Sequence, residues 1–225
     1  RVGVPRQLAA LDIWPSVQQE FETLLQASGV EIVEVDVPSL SVAIACYYIL
    51  AAAEASSNLS RFDGVRYGNR QAGANLTEVY TASRSHGFGP EVKRRILTGT
   101  YVLSAGYVDR YYHQAQQVRA ALTKQLAAAL DGVDVLAMPT APRTAFRIGE
   151  AKNPLSMYAA DVLTVPASLA GLPALSVPMG LVDGLPIGIQ FVGRPYDEAA
   201  CLAAGATIER QSGGFPRPPL WVGDR

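Results

Sequence analysis

Cysteine, histidine and lysine, which supply most thiolate nucleophiles, metal ligands and amine bases, are scarce in this chain. Its 225 residues hold two cysteines, Cys46 and Cys201, two histidines, His86 and His113, and three lysines, Lys93, Lys124 and Lys152. The cysteines lie far apart inside apolar helical patterns, which argues against a disulfide framework or a thiolate metal site and makes both packed thiols. Neither histidine has an evident partner, and His113 falls on the polar side of its helix. A Ser-His-Asp triad and a histidine metal centre are therefore not expected. Three motifs are absent as well: the phosphate-binding G-x-x-x-x-G-K-[ST], the G-x-S-x-G nucleophile elbow, and a G-x-G-x-x-G after a strand. A net charge of −1 excludes nucleic-acid binding by bulk electrostatics and leaves room only for a local basic patch. No charged segment leads into a signal-like apolar one, and no run of about twenty apolar residues reads as a membrane span. A cytoplasmic protein without membrane contact is expected.

Hydrophobic residues make up 49% of the chain and charged residues 17%, enough for a sizeable core that needs no disulfide or metal. The opening "RVGVP" begins without Met and inside an apolar strand, which reads as a fragment. A strand at Val2 to Val4 gives way to a helix carrying Val17, Phe21, Leu24 and Leu25, which ends by Gly29; "VEIVEVDVP" then alternates as a strand. Ser41 to Asn58 is apolar nearly all round, the pattern of a buried helix. A Gly- and Arg-rich loop, "SRFDGVRYGNRQAGAN", leads to helices from Thr77 and from Pro90. A long surface helix from Tyr107 to Leu130 follows, with a stripe of Val108, Tyr111, Ala115, Val118, Leu122 and Leu126. "VDVLAMP" is a strand covered on both faces, and Asp183-Gly184 turns a hairpin between "ALSVPMG" and "PIGIQFVG". A last helix runs from Asp197 to Gln211, and residues 214–225 form an irregular Pro-rich tail. The whole reads as one α/β domain over residues 1–225, with a mixed β-sheet covered by helices.

Polar groups on apolar faces are the candidates for function. In the helix from Pro90, a projection at about 100° per residue places Arg95 with Val92, Ile96, Gly99, Val102 and Leu103, and Arg94 on the opposite side. A desolvated guanidinium needs an anion, so Arg95 is expected to have a specific partner, unless its stem packs and its head reaches water. The same projection puts Tyr47, Glu54 and Asn58 on one stripe with Ala51 between them, while Tyr48 points elsewhere. That stripe is either an internal hydrogen-bond network or the wall of a polar pocket. Asp161 has no polar side of its helix to turn toward, because Met157, Tyr158, Val162, Leu163 and Val165 surround it in an apolar segment, and it is expected to be paired, protonated or facing a cavity. Arg95 and Asp161 could form a structural ion pair, or could hold the carboxylate and ammonium ends of a zwitterion.

The segments "EASSNLSRFDGVRYG", "EVKRRILTGTYVLSAGYVDRYY", "MPTAPRTAF", "NPLSMYAADVLTVPASLAGLPALSVPMG" and "GLPIGIQFVGRPYDE" resemble the amidase-signature family. Within it they resemble the glutaminase (A) subunits of tRNA-dependent amidotransferases. The likeness covers almost the whole chain and weakens at the Pro-rich end. It implies the C-terminal part of the amidase-signature fold. It also implies a glutaminase that supplies ammonia for converting Glu-tRNA(Gln) to Gln-tRNA(Gln), or Asp-tRNA(Asn) to Asn-tRNA(Asn). The implied partners are B and C subunits, with ATP and Mg on a partner and tRNA met only indirectly. The family's glutamine-recognising tyrosine, arginine and aspartate match Tyr47, Arg95 and Asp161.

The family's catalytic serine, its second serine in a cis peptide and its lysine have no match here, and "QSGGF" near the end is not the Gly/Ser-rich signature. No cofactor is expected in this chain. Three functions compete: the glutamine-recognising part of the amidotransferase glutaminase, inactive alone; a fragment of a general amidase acting on uncharged amides; and a non-catalytic amino-acid-binding module. A general amidase would not need charged groups for both ends of an amino acid.

Overall fold

The structure is a computed structural model and describes residues 1–150 and 154–211. Lys152, Asn153, the "SGGF" stretch and the tail at 214–225 lie outside the described residues. In chain order the elements are β1 (Val2–Pro5), α1 (Pro15–Ala27), β2 (Ile32–Val35), α2 (Ala43–Leu59), α3 (Leu76–Gly87), α4 (Pro90–Val102), α5 (Gln114–Leu130), β3 (Val135–Pro139), α6 (Pro154–Ala159), α7 (Val165–Ala170), β4 (Ala174–Val182), β5 (Leu185–Val192) and α8 (Glu198–Gln211). Proline at the first turn starts α1, α4 and α7, where its missing N–H has no helical partner to lose. The sequence reads as one domain; the fold divides into two compact units, residues 1–44 with 119–225, and residues 45–118.

The first unit is built on a five-stranded mixed sheet in the order β2-β1-β3-β5-β4. The β1 strand is parallel to β2 and β3, whereas β5 runs antiparallel to both β3 and β4. All five residues of β3 are buried, as its unbroken apolar run requires. Asp183 and Gly184 connect β4 to β5 with φ of 51° and 75°, the doubly positive pair of a two-residue hairpin turn, and Val182 pairs with Leu185 on either side. Alternation then gives the β4–β5 ribbon two different faces. On one, Leu175 and Val177 meet α8 closely enough that a methyl on Gly205 would stand 2.7 Å from Leu175. The other carries Ser176, Gly188 and Gln190. Arg194, just after β5, donates to the Leu130 and Val133 carbonyls and caps the C-terminal end of α5.

The second unit is helical. Asn75 caps α3 by accepting from the Glu78 N–H at 3.0 Å, and the Glu78 carboxylate reaches back to accept from the Ala74 N–H at 2.8 Å and from the Asn75 side-chain amide at 2.9 Å. Arg84 holds the Gly- and Arg-rich loop by donating to the Leu59 and Phe62 carbonyls. The α2 and α4 helices cross at Gly99, where a Cβ would lie 2.0 Å from the Ala52 carbonyl oxygen and 2.7 Å from Ser56 Oγ. Glycine is required there because backbone packs on backbone.

Three features differ from the sequence reading. The α2 helix is not buried all round: Ala43, Cys46, Leu50, Ala52 and Ala53 are buried, while Ala45, Glu54, Ser57 and Asn58 are exposed. The stretch Pro38–Leu59 is long and apolar enough, by length and composition alone, to cross a membrane; 33% of it is buried within the fold, and Cys46 Sγ donates to the Ala115 carbonyl. The helix expected from Tyr107 begins as a π-helical turn over Val108–His113, and α5 starts only at Gln114. That wider turn sits beside a cluster in which the rings of Tyr101, Tyr107 and Tyr111 lie 4.4–6.2 Å apart, and hydrogen bonding to Tyr107 pushes the Tyr101 hydroxyl up to about 12. His113 also has a partner that its helical spacing provides, Asp109 at 2.8 Å.

Replacing Gly99 by alanine is expected to destabilise the protein by about 1–3 kcal/mol, the usual range for overpacking. Gly87→Ala, where nothing lies within 4 Å of the new methyl, is the control and is expected to be neutral or slightly stabilising. Denaturant unfolding measures both, and equal midpoints for the two variants would contradict the crossing described.

Candidate functional site

In the second unit, one turn of α4 and one of α2 bring four polar or aromatic side chains together. Arg95 Nε donates to Glu91 Oε1 at 3.0 Å, one helical turn earlier, and the Tyr47 hydroxyl lies near enough to the guanidinium to act on its pKa. Its guanidinium lies over the Tyr48 ring at 5.5 Å, and the Tyr47 and Tyr48 rings meet edge to face at 5.1 Å. The hydrogen bond to Glu91 raises the Arg95 pKa first of all, partial burial opposes it, and Tyr47 adds to it. The cation is permanent at any working pH. Arg94, on the other side of α4, also pairs with Glu91 but is more open to solvent, 49% exposed against 33% for Arg95. Gly99 stands one turn beyond Arg95 and Ala52 one turn beyond Tyr48, so the close helix crossing sets the distance between the arginine and the tyrosines.

In the first unit, the open face of the β4–β5 ribbon carries the second group of candidates. The Thr140 and Ser176 hydroxyls meet at 2.6 Å above Gly188, and a Cβ on that glycine would stand 2.9 Å and 3.0 Å from their oxygens. Two clefts share this hydroxyl pair. One, about 490 Å³, also has Arg143, Phe146, Ala160 and Ile187 in its wall; the other, about 380 Å³, has Thr164, Ser168 and Gln190. Ala160 and Thr164 belong to the same turn, residues 160–164 between α6 and α7, and Asp161 is carried at its exposed surface between those two wall residues. The Asp161 N–H donates to the Tyr158 carbonyl, and its own carbonyl accepts from the Thr164 and Val165 N–H groups and from Thr164 Oγ1.

The structure brings Tyr47 and Arg95 together, and Asp161 belongs to the other unit. Two expectations are corrected. Asp161 is neither helical nor buried: the turn faces its carboxylate outward while Leu163 and Val165 point into the core. Periodicity misled here because the segment is two six-residue helices joined by a turn rather than one helix. Tyr48, expected to point away, lies under the Arg95 guanidinium. The Glu54 and Asn58 end of the stripe is exposed, so it forms no internal network. Glu91, Thr140, Ser176 and Gln190 were not singled out by the sequence. Glu91 is visible in hindsight, since it precedes Arg95 by four residues in "EVKRR", and Gln190 is a polar residue at a core position of an apolar strand. The hydroxyl pair left no sequence signal, because it depends on strand register.

A family model described as Amidase matches residues 1–202. Among curated relatives, the A subunit of glutamyl-tRNA(Gln) amidotransferase from Rhizorhabdus wittichii is 53% identical over 98% of this chain and 46% of its own length. The protein of the same name from Novosphingobium aromaticivorans is 51% identical over the same shares. The chain thus spans about half the length of the curated relatives it matches. The crystal structure of the corresponding A subunit from Thermotoga maritima superposes with a TM-score of 0.75 at 36% identity, over 98% of this chain and 45% of that one. A solved amidase gives 0.74 at 28% identity, over 93% and 45%. The mixed sheet with its helices is the fold of these structures, and the chain belongs to the amidase-signature family.

Proposed function

We propose that this chain is the glutamine-recognising part of the glutaminase subunit of a tRNA-dependent amidotransferase, the enzyme that makes Gln-tRNA(Gln) or Asn-tRNA(Asn) from the misacylated tRNA. The observation that carries this reading is the identity of 53% over 98% of the chain to the A subunit of such an enzyme. Arg95 takes the substrate's α-carboxylate: its Nε is committed to Glu91, and a planar guanidinium can present its terminal N–H groups to a carboxylate in pairs. Tyr47, whose hydroxyl lies near the same guanidinium, orients it and the substrate. Asp161, at the tip of its turn, takes the α-ammonium. These groups recognise and orient; none is the nucleophile. The catalytic serine, the cis-peptide serine and the lysine belong to the part of the glutaminase that these 225 residues do not match. B and C subunits complete the complex, ATP and Mg act on a partner, tRNA is met through that partner, and the whole works in the cytoplasm away from membranes.

The 225-residue chain alone is expected to show no glutaminase activity, because orientation without a nucleophile opens no covalent path. Ammonia release from glutamine that persists through exhaustive purification would overturn this. In the intact amidotransferase, Asp161→Asn is expected to raise the KM for glutamine roughly ten- to hundredfold, the worth of a hydrogen bond to a charged group. Amidation from supplied ammonium bypasses the site and is the comparison. Equal losses from both nitrogen sources would make Asp161 a structural residue.

A further inference from the structure

The sheet of the first unit holds a side chain whose chemistry core packing does not require. Gln190 lies between Ile189 and Phe191 on β5, is only 3% exposed, and stands in register with Met138 of β3 and Ser176 of β4. A methionine or leucine would fill that volume without taking an amide out of water, and a buried amide is unfavourable unless its hydrogen bonds are met. The amide Nε2 donates to the Leu163 carbonyl at 2.7 Å, a buried bond.

Leu163 follows Asp161 by two residues. The bonds within residues 158–165, from the Asp161 N–H to Tyr158 and from the Thr164 and Val165 N–H groups to Asp161, fix the shape of the turn. They do not fix where that shape sits on the sheet, since every one of them is internal to the segment. The flanking helices α6 and α7 are six residues each, too short to hold a position by themselves. The buried side chains of Leu163, Val165 and Ala167 supply non-directional anchors. The Gln190 bond is directional and comes from a strand paired on both sides, the stiffest support this unit offers.

We propose that Gln190 is a positioning residue for substrate recognition: through the Leu163 carbonyl it sets the height and rotation of the turn that presents Asp161. The proposal rests on Asp161 as the ammonium-binding group. Gln190 touches no substrate. Losing its donor leaves the Leu163 carbonyl unpaired in the core and frees the turn to shift, and a displacement of about 1 Å is enough to weaken a geometrically defined contact.

The test uses the intact amidotransferase carrying Gln190→Met, which keeps length and apolar volume and deletes the donor. The KM for glutamine is expected to rise about tenfold with kcat within about twofold, the scale of one hydrogen bond transmitted to a charged contact. Hydrogen exchange at the Thr164 and Val165 amides is expected to accelerate, and the double variant with Asp161→Asn is expected to be no worse in KM than Asp161→Asn alone. If Gln190→Met folds poorly, Gln190→Leu, which also deletes the donor and leaves an apolar side chain, is read in the same way. An unchanged KM for glutamine overturns the proposal while Asp161→Asn still raises it. So does a loss of activity that is equal from glutamine and from supplied ammonium, which marks a purely structural role. Should Asp161→Asn itself leave the KM unchanged, the recognition reading fails and the proposal fails with it.

Discussion

The two-residue turn at Asp183-Gly184 and a one-residue bulge in β4 between Pro178 and Gly180 together fix the register between β4 and β5, and the candidate site of the first unit depends on that register. A connection this short with both central residues at positive φ admits one pairing next to the turn, Val182 with Leu185, and the bulge then shifts the pairing by one residue so that Pro178 meets Gly188 and Ser176 meets Gln190. A slip of one residue would exchange the faces of β5, turning Ile189 and Phe191 out of the core and Gly188 and Gln190 toward α8. The Thr140–Ser176 hydroxyl pair would lose the glycine that lets it close, and the Leu163 carbonyl would lose its donor. Ile189 and Phe191, both almost fully buried, hold the register from the packed side. Hydrophobic burial on one face of the ribbon thereby positions polar chemistry on the other.

A comparable constraint governs the second unit. A glycine at the crossing of α2 and α4 brings the backbones close, so a tyrosine ring on one helix lies under a guanidinium on the other. Glu91 then serves the arginine twice. It compensates the cation in a partly desolvated place, and by taking Nε it directs the remaining donors. The ring of Tyr48 beneath the guanidinium adds a face that water cannot occupy. An arginine held in this way loses little freedom on meeting a carboxylate, which is what recognition of an amino acid's carboxylate end asks of it.

Much of this was legible in the sequence where a single element carries the information. The β3 run, the Asp183-Gly184 hairpin, the order of strands and helices, and the side of α4 on which Arg95 stands all follow from local pattern. Tyr47 and Arg95 were joined only by the family resemblance, since helical projection treats each helix by itself. Misreadings arose where tertiary context overrules periodicity. Asp161 looked buried because its neighbours are apolar, yet those neighbours alternate around a turn, so the core takes Leu163 and Val165 and leaves the carboxylate outside. The π-helical turn at Val108–His113 keeps helical hydrophobic spacing nearly intact and so cannot be told from an α-helix by pattern. Gln190 and the Thr140–Ser176 pair depend on cross-strand register, which joins residues far apart in sequence.

The central claim is that the carboxylate of Asp161 recognises the α-ammonium of glutamine. It is tested most directly by removing the ammonium from the ligand instead of altering the protein alone. The measurement is the ratio of kcat/KM for glutamine to that for 4-carbamoylbutanoate, its analogue without the amino group, in the intact amidotransferase and in its Asp161→Asn variant. A ratio well above one that collapses toward one in the variant is the predicted result. The same ratio in both proteins would contradict it.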